Sequence, residues 1–240
     1  MDFLLRKVFI GKPKTVGDND AESVMDREWT SAIFKEPVEG AVWVGKTGLT
    51  GDGVFDTKNH GGPEKAVFAY SLENYSYWQR ELGHSAIGPG GMGENFLLEN
   101  LTEDTVSIGD TFQIGEAVVQ VSQPRQPCWK PARRFRIKTL ALLIQNTGRT
   151  GWYFRVLKEG LVEEGRTFTL LERPYPQWTI QKCNEILHAK QPNFEEMQEL
   201  SQCELLAPSM RATLEKRGAL KAIPDITNRV YGPNDEGQSQ

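Results

Sequence analysis

The 240-residue chain has few cysteines, few histidines and no long apolar run. Three widely separated cysteines cannot build a disulfide framework, so a reducing, cytoplasmic compartment is expected. Three scattered histidines give little support for a zinc site. No stretch reaches the ~18 apolar residues of a membrane span, and the N-terminus lacks the basic and apolar regions of a signal peptide. We therefore expect a globular cytoplasmic protein that has no membrane partner.

Acidic residues are absent from positions 117–158, although this basic segment contains nine Lys and Arg residues. They are Arg125, Lys130, Arg133, Arg134, Arg136, Lys138, Arg149, Arg155 and Lys158. The whole chain has a net charge of −4, so positive charge is concentrated in one part of an acidic protein. Because Arg and Lys form charge-assisted hydrogen bonds with phosphate and carboxylate, the segment predicts an anion-binding surface.

Cys128 lies inside the basic segment, and Pro124 and Pro127 predict an irregular loop just before it. Nearby cations favour the thiolate, which is both the nucleophilic form and the metal-binding form of cysteine. A buried structural cysteine is the alternative, but the concentration of positive charge favours a functional thiol. Cys183 and Cys203 have no such surroundings and are expected to pack within helices.

The first two thirds of the chain predict mainly β structure with a few short helices. Short β-branched and aromatic runs alternate with Gly and Asp up to residue 171, which is typical of strands. Helices are predicted over residues 72–82 and 140–146, with Ser71 and Thr139 as N-caps and Gly148 ending the second helix. Many short strands with few helices indicate a β-barrel or a β-sandwich.

A small α appendage is predicted after Pro174 and Pro176, which form a stiff linker. Apolar residues then recur at helical spacing, and Asn193 and Ser209 are expected to cap two further helices. The fold class is therefore mainly β with a small α appendage. We expect a barrel over residues 1–172, a three-helix domain over 177–222 and a flexible tail over 223–240.

Two glycine-rich loops are further candidates for ligand binding. The first begins at His60, and the second, residues 88–96, has backbone N–H groups that could surround an anion. It lacks the lysine of a nucleotide-binding P-loop. For both loops an ordinary turn is an equally good interpretation, and for Asn146 and Arg149 the alternative is simple helix termination.

Taken in order, these motifs resemble those of MOSC domain proteins, and within that superfamily the YiiM type. The set is Gly48-Leu-Thr-Gly-Asp52, His60-Gly-Gly-Pro63, Gly93-Glu-Asn95 and Gln123-Pro-Arg-Gln-Pro-Cys128, followed by the three-helix region. The resemblance implies a β-barrel that binds the molybdenum cofactor (molybdopterin). It also implies reduction of N-hydroxylated base analogues and amidoximes to amines or amidines, a detoxification activity.

The resemblance also implies roles for individual residues. Cys128 matches the family cysteine that binds molybdenum, and His60 is expected to orient its loop or contact substrate. Arg125, Lys130 and Arg149 are expected to bind the phosphate and the pterin. The other residues expected to face the cofactor are Lys65, Asn95, Asn146 and Ser31.

A separate electron-donating reductase is the expected partner, because the sequence has no flavin or dinucleotide motif and too few cysteines for an iron–sulfur cluster. The three-helix domain is a candidate docking site for it, although packing or homodimer formation explains that domain equally well. The expected second partner is a small N-hydroxylated substrate.

Two other functions are compatible with these residues. The first is a non-catalytic carrier of sulfur or cofactor, through a persulfide or the thiolate of Cys128. The absence of an attached sulfur-mobilising domain favours the reductase. A nucleic-acid-binding barrel is weaker, because the net charge is negative and Trp129 and Phe135 are too few for a stacking platform.

Overall fold

The computed structural model describes residues 2–56 and 60–235. The strands in this part of the chain are β1 Phe3–Ile10, β2 Lys14–Val16, β3 Trp29–Ser31, β4 Glu36–Pro37, β5 Val42–Gly45, β6 Gly48–Leu49, β7 Val67–Ser71, β8 Phe96–Glu99, β9 Thr111–Ile114, β10 Ala117–Pro124, β11 Trp152–Lys158, β12 Gly160–Val162 and β13 Thr167–Glu172. The α-helices are α1 Leu72–Leu82, α2 Trp129–Phe135, α3 Leu140–Thr147, α4 Ile180–His188, α5 Phe194–Ser201, α6 Pro208–Leu220 and α7 Thr227–Val230. None of the helices in the described ranges combines the length and the apolarity needed to cross a membrane.

Seven strands close into a barrel, in the order β1, β8, β7, β11, β10, β9 and β13, with β13 pairing back to β1. Neighbouring strands are antiparallel except for β7 and β8, which run parallel. Closure leaves these seven strands without unpaired edges. The predicted mainly β fold with a small α appendage is confirmed, and the architecture is a barrel rather than a sandwich.

Aromatic side chains fill the barrel interior. Phe112, Phe154 and Phe168 are buried and pack with ring centroids 5.8–6.2 Å apart. Trp152 packs edge-on against Phe154 at 6.3 Å. Because a small barrel filled in this way has no room for a ligand, any binding site must lie outside it.

The first three helices cover part of the outer face of the barrel. In α1, residues Asn74, Tyr75 and Trp78 are buried at helical spacing, and this helix has the predicted bounds. Helix α3 ends one residue later than predicted, before Gly148, whose φ of 72° lies in the left-handed region. Helix α2 was not predicted. It contains Pro131 in its first turn, where the missing N–H costs no helical hydrogen bond.

Two of the C-terminal helices begin at residues that favour a helix start, a capping Asn in α5 and a Pro in the first position of α6. Asn193 accepts hydrogen bonds from the amides of Glu195 and Glu196, as predicted. The expectation for Ser209 was wrong, because α6 starts at Pro208, and proline is favoured at the first helical position. The apolar residues of these helices form one continuous core with the barrel interior.

Residues 223–235 differ from the flexible tail expected over 223–240. Helix α7 and a 3₁₀ turn at Gly232–Asn234 order this region, and Val230 and Asn234 are completely buried. The polar composition suggested disorder, but the few buried residues pack against the protein. Residues 236–240 lie outside the described part of the chain.

Candidate functional site

A cavity of about 400 Å³ lies against the outer face of the barrel, beside the loop that follows β10. Phe68 of β7 and Tyr153 of β11 line it, whereas Val67 and Ala69, the neighbours of Phe68 along β7, belong to the interior core. Seven of the nine residues expected at the site line this cavity: Ser31, His60, Lys65, Asn95, Arg125, Cys128 and Lys130.

A second cavity, of about 570 Å³, adjoins the first. The two cavities share Cys128, His60, Lys65, Lys130 and Tyr153 among their lining residues. The far wall comes from the C-terminal helices, through Ser209, Met210, Thr213, Asn228 and Arg229. The barrel and the helical region together therefore form a continuous binding region, and the thiol of Cys128 belongs to the wall that both cavities share.

Cys128 is the accessible one of the three cysteines. It is half-buried and precedes α2 with extended backbone, directly after the loop that leaves β10. Cys183 and Cys203 are buried in the helical region, and burial raises the pKa of both thiols. An added ligand can therefore reach Cys128, while the other two cysteines pack as expected.

Arg125 is a buried cation beside this thiol. Only 5% of the residue is exposed, and its guanidinium lies 5.1 Å from the centre of the Phe68 ring. Its Nη1 atom is buried and has no hydrogen-bond partner among the described residues. Since an unsatisfied buried donor is costly, especially on a charged group, the arrangement suits an anionic ligand.

Burial shifts the pKa of three further side chains of the cavity, His60, Tyr153 and Lys65. Burial, with the charges of Lys130 and Arg125, lowers the pKa of His60 to about 4, so this imidazole is neutral at pH 7. Burial raises the pKa of Tyr153 to about 12. Burial also lowers the pKa of Lys65, while Asp56 opposes that change. A neutral imidazole and a neutral phenol therefore lie beside fixed positive charge.

Asn95 and Ser31 line the cavity and also form hydrogen bonds within the protein. Asn95 Oδ1 accepts from the Phe68 amide at 3.1 Å, and its Nδ2 donates to Asp52 Oδ2 at 2.8 Å. Asp52 also pairs with Lys35. Ser31 Oγ accepts from the amide of Ile33. These two residues therefore shape the wall of the cavity, and their role toward a cofactor stays a prediction.

The glycine-rich loop at residues 88–96 does not offer free amides. Glu94 Oε1 accepts from Gly90 N and from Tyr75 Oη, each at 2.6 Å, and Met92 N donates to the same Tyr75 oxygen at 3.1 Å. Burial raises the pKa of Glu94. The loop is therefore closed by its own glutamate, and the interpretation as an anion cradle is wrong.

Arg149 and Asn146 do not reach either cavity, which corrects two of the expected cofactor contacts. The Arg149 guanidinium lies 4.0 Å from the centre of the Tyr77 ring and donates to Asn74 Oδ1 at 2.8 Å. Asn146 is exposed on α3. Arg149 follows the end of α3 and contacts α1 through Asn74 and Tyr77, so its side chain is used within the protein.

Most of the basic segment likewise binds the protein itself. Arg134 donates to the carbonyl oxygens of Ile33 and Gly90 at 2.6 and 2.9 Å, and Arg155 pairs with Glu64. Of the nine basic residues, Arg125 and Lys130 line the cavities. Local sequence shows a concentration of charge, but the partners of the other residues come from distant segments that only the fold brings near.

Two residues that line the cavities, Tyr153 and Arg229, were not predicted from the sequence. Tyr153 could have been found, because it alternates with the buried Trp152 and Phe154 along a strand and must therefore point outward. Arg229 had no comparable signal, since it follows a polar stretch. In the structure, burial lowers the pKa of Arg229 to about 10. The electrostatic interaction of Arg229 with Cys128 acts in the opposite direction and is the smaller effect.

The protein offers a metal one ligand here rather than a complete set. Among residues 2–56 and 60–235, no group of three or more His, Cys, Asp or Glu side chains could hold a metal ion. A metal at Cys128 would therefore have to arrive with most of its ligands already attached, as it does within a cofactor.

Comparison with known proteins gives two family matches. The MOSC domain matches residues 56–169, and the YiiM-like, 3-alpha helix domain matches residues 178–217. The first match contains the barrel strands β7 to β11 and the Cys128 loop. The second contains α4 and α5 and most of α6.

Individual relatives match over most of the chain. The YflK protein of Bacillus subtilis is 39% identical over 87% of this chain and 91% of its own length. The crystal structure of YiiM from Geobacillus stearothermophilus has a TM-score of 0.73 and 36% identity, over 90% of this chain and 98% of that one. A Gibberella moniliformis protein named Reductase is 36% identical over 73% of this chain, which spans 32% of that relative. The barrel, the three-helix region and these matches show that the chain belongs to the MOSC family, and within it to the YiiM type.

Proposed function

We propose that this protein binds the molybdenum cofactor beside Cys128 and reduces N-hydroxylated compounds, such as N-hydroxylated base analogues and amidoximes, to amines or amidines. The observation that carries the proposal is the accessible Cys128 thiol on a cavity that also contains the buried, incompletely bonded Arg125. The name of the fungal relative, Reductase, supports a reductive reaction. The expected biological role is detoxification.

The residues of the site fit this cofactor, which is a pterin with a dithiolene and a terminal phosphate. Cys128 provides the soft sulfur ligand that molybdenum would need from the protein. Arg125 and Lys130 provide charge-assisted donors for the phosphate. Phe68 and Tyr153 provide a flat, largely apolar surface for the pterin ring.

When bound, the cofactor supplies the two-electron chemistry, and the protein supplies binding, orientation and electrostatics. The reaction R–NHOH + 2 e⁻ + 2 H⁺ → R–NH₂ + H₂O breaks the N–O bond and consumes two protons. Because its pKa is about 4, His60 has one N–H and one free ring nitrogen at pH 7. It can therefore donate one hydrogen bond to a substrate oxygen and accept one from an N–H group, without adding charge.

The electrons would come from a separate reductase, which we propose as the partner of this chain. Apart from Cys128, the cysteines of the described residues are Cys183 and Cys203. Both are buried in the core and do not provide an internal redox centre. The exposed mouth of the first cavity, which includes Trp43 and Phe55, gives a small substrate access to Cys128.

Replacing Cys128 by Ala tests the proposal. We expect the variant to keep its fold and to lose reduction of an amidoxime, measured with a chemical reductant so that no protein partner is required. Cys203→Ala is the matched control, because it removes a thiol that is buried away from both cavities. Unchanged amidoxime reduction in folded Cys128→Ala protein would refute the proposal.

A carrier of sulfur or cofactor is the second candidate, because the half-buried thiol on two cavities would also protect a persulfide. Intact-protein mass spectrometry separates the two functions. A carrier of sulfur shows a mass increase of one sulfur atom on Cys128 that a reducing agent removes, and it shows no amidoxime reduction.

A further inference from the structure

The C-terminal segment, defined as residues 226–235, contacts both neighbours of Cys128. Arg229 donates through Nη1 to the carbonyl oxygen of Pro127. Asn234 donates through Nδ2 to the carbonyl oxygen of Trp129 at 3.1 Å. The carbonyl groups of the two residues that flank Cys128 are thus each held from outside the loop, by residues about a hundred positions away in the chain.

Arg229 connects this loop to the outer layer of the barrel. Its second arm, Nη2, donates to Gln145 Oε1 of α3 at 2.6 Å, and Gln145 is itself buried. The planar guanidinium can bind two acceptors in fixed directions, which the point charge of lysine cannot do. Arg229 therefore fixes the distance between the Pro127 carbonyl and α3.

The other end of the segment packs directly on the residue after Cys128. Gly232 has a φ of 48°, and a Cβ added there would overlap the Trp129 indole ring. Asn234 is completely buried. Such close packing requires the segment and Trp129 to keep one relative position.

We propose that the C-terminal segment is a clamp that sets the position of the Cys128 thiol, with Arg229 as its positioning residue. With the carbonyl groups of Pro127 and Trp129 held, the backbone from which the Cys128 side chain projects is held on both sides. The proposal rests on the proposed function only in treating Cys128 as a ligand, because the clamp itself can be tested without cofactor. Outer contacts that orient a metal ligand are commonly needed for full metal affinity.

The clamp is tested by hydrogen–deuterium exchange of the full-length, cofactor-free protein. In Arg229→Ala we expect the peptide covering residues 125–135 to exchange about tenfold faster than in the wild type, because a charge-assisted hydrogen bond is lost. Arg217→Ala is the matched control. Arg217 is also a partly buried cation of this region, but it donates to the carbonyl oxygen of Leu187 and not to the Cys128 loop.

Molybdenum retention tests positioning in the same variants. After production in a cofactor-making host and desalting, we expect Arg229→Ala to lose molybdenum about 10- to 100-fold faster than the wild type and Arg217→Ala to match the wild type. Arg229→Lys should restore retention poorly, because lysine keeps the charge but cannot bind both acceptors.

The outcomes separate this inference from the proposed function. Unchanged exchange in folded Arg229→Ala protein, or faster exchange with unchanged molybdenum retention, overturns the positioning role. Wild-type protein without molybdenum contradicts the proposed function, while faster exchange in Arg229→Ala would still support the clamp. If Arg229→Ala does not fold, Asn234→Ala removes the second anchor, and unchanged exchange of residues 125–135 in that variant overturns the clamp.

Discussion

At the residue scale, Arg125 is the group whose surroundings point most directly to a ligand. It is almost completely buried, it lies over the Phe68 ring, and Nη1 lacks a partner among the described residues. Ordinary structural arginines in this protein differ, because Arg134, Arg149 and Arg155 each donate to named acceptors. An anion beside Arg125 would satisfy the donor that the protein leaves unsatisfied.

Replacing Arg125 by Met should separate ligand binding from stability. Since the substitution removes a buried, incompletely bonded cation, we expect the cofactor-free variant to melt no lower than the wild type. Molybdenum retention should fall about tenfold or more, because hydrogen bonds to a charged group contribute about 1.5–3 kcal/mol. Thermal denaturation and metal analysis of the same preparations measure both effects.

Arg149→Met is the matched substitution and should give the reverse pattern. Arg149 loses its hydrogen bond to Asn74 and its contact with the Tyr77 ring, so we expect a loss of about 1–3 kcal/mol in the free energy of unfolding. Molybdenum retention should not change. A fully loaded Arg125→Met protein, or an Arg149→Met protein that is stable but empty, would contradict these assignments.

At the scale of single elements, local sequence predicted helices well where one residue decides the start or the end. Helix α1 has the predicted bounds, and α5 begins at the predicted cap Asn193. Helix α2 could not be predicted in the same way, because prolines indicate a loop and also suit a first helical turn. The packing of Ala132 and Phe135 against the barrel decides in favour of the helix.

The two expected caps of the C-terminal helices give an element-scale test. Asn193→Ala removes an acceptor for two helix amides, so we expect the free energy of unfolding to fall by about 1 kcal/mol. Ser209→Ala should change it by less than about 0.5 kcal/mol, since Ser209 lies inside α6 and is exposed. Chemical denaturation of both variants measures the difference, and equal losses would show that Ser209 has an unrecognised structural role.

At the scale of the whole molecule, the site depends on contacts that no local pattern contains. The mainly β fold followed from motifs and their order along the chain, and seven of the nine residues expected at the site line one cavity. Arg149 and Asn146 do not, because their proximity to Cys128 in sequence does not bring them near it in space. The ordered C-terminal segment was missed because Arg229 and Asn234 lie in a polar stretch and find their partners about a hundred residues earlier.

Acid sensitivity of the whole fold is expected from His188. Burial, with the charges of Arg229 and Arg217, lowers its pKa to about 3 in the folded protein, below the ordinary value of 6.5. Between these values the unfolded chain binds a proton that the folded chain does not. The stability contributed by neutral His188 is therefore complete above about pH 6.5 and is lost as the pH falls toward 3.

His188→Gln tests this dependence by urea denaturation at several pH values. Below about pH 6.5 we expect the wild type to lose stability faster than the variant, by at most about 1.4 kcal/mol for each pH unit. His60, with a pKa of about 4, contributes a loss of the same sign to both proteins and cancels in the comparison. Parallel stability curves would contradict the neutral, buried state of His188.

Cofactor binding at Cys128 is tested most simply by the molybdenum content of the protein and of its Cys128→Ala variant. Both are produced in a cofactor-making host, purified without oxygen, desalted and measured by mass spectrometry of the metal. We expect near-stoichiometric molybdenum in the wild type and almost none in the folded variant. Equal molybdenum in both proteins would show that Cys128 does not hold the cofactor, and a wild type that stays empty after incubation with released cofactor would contradict cofactor binding itself.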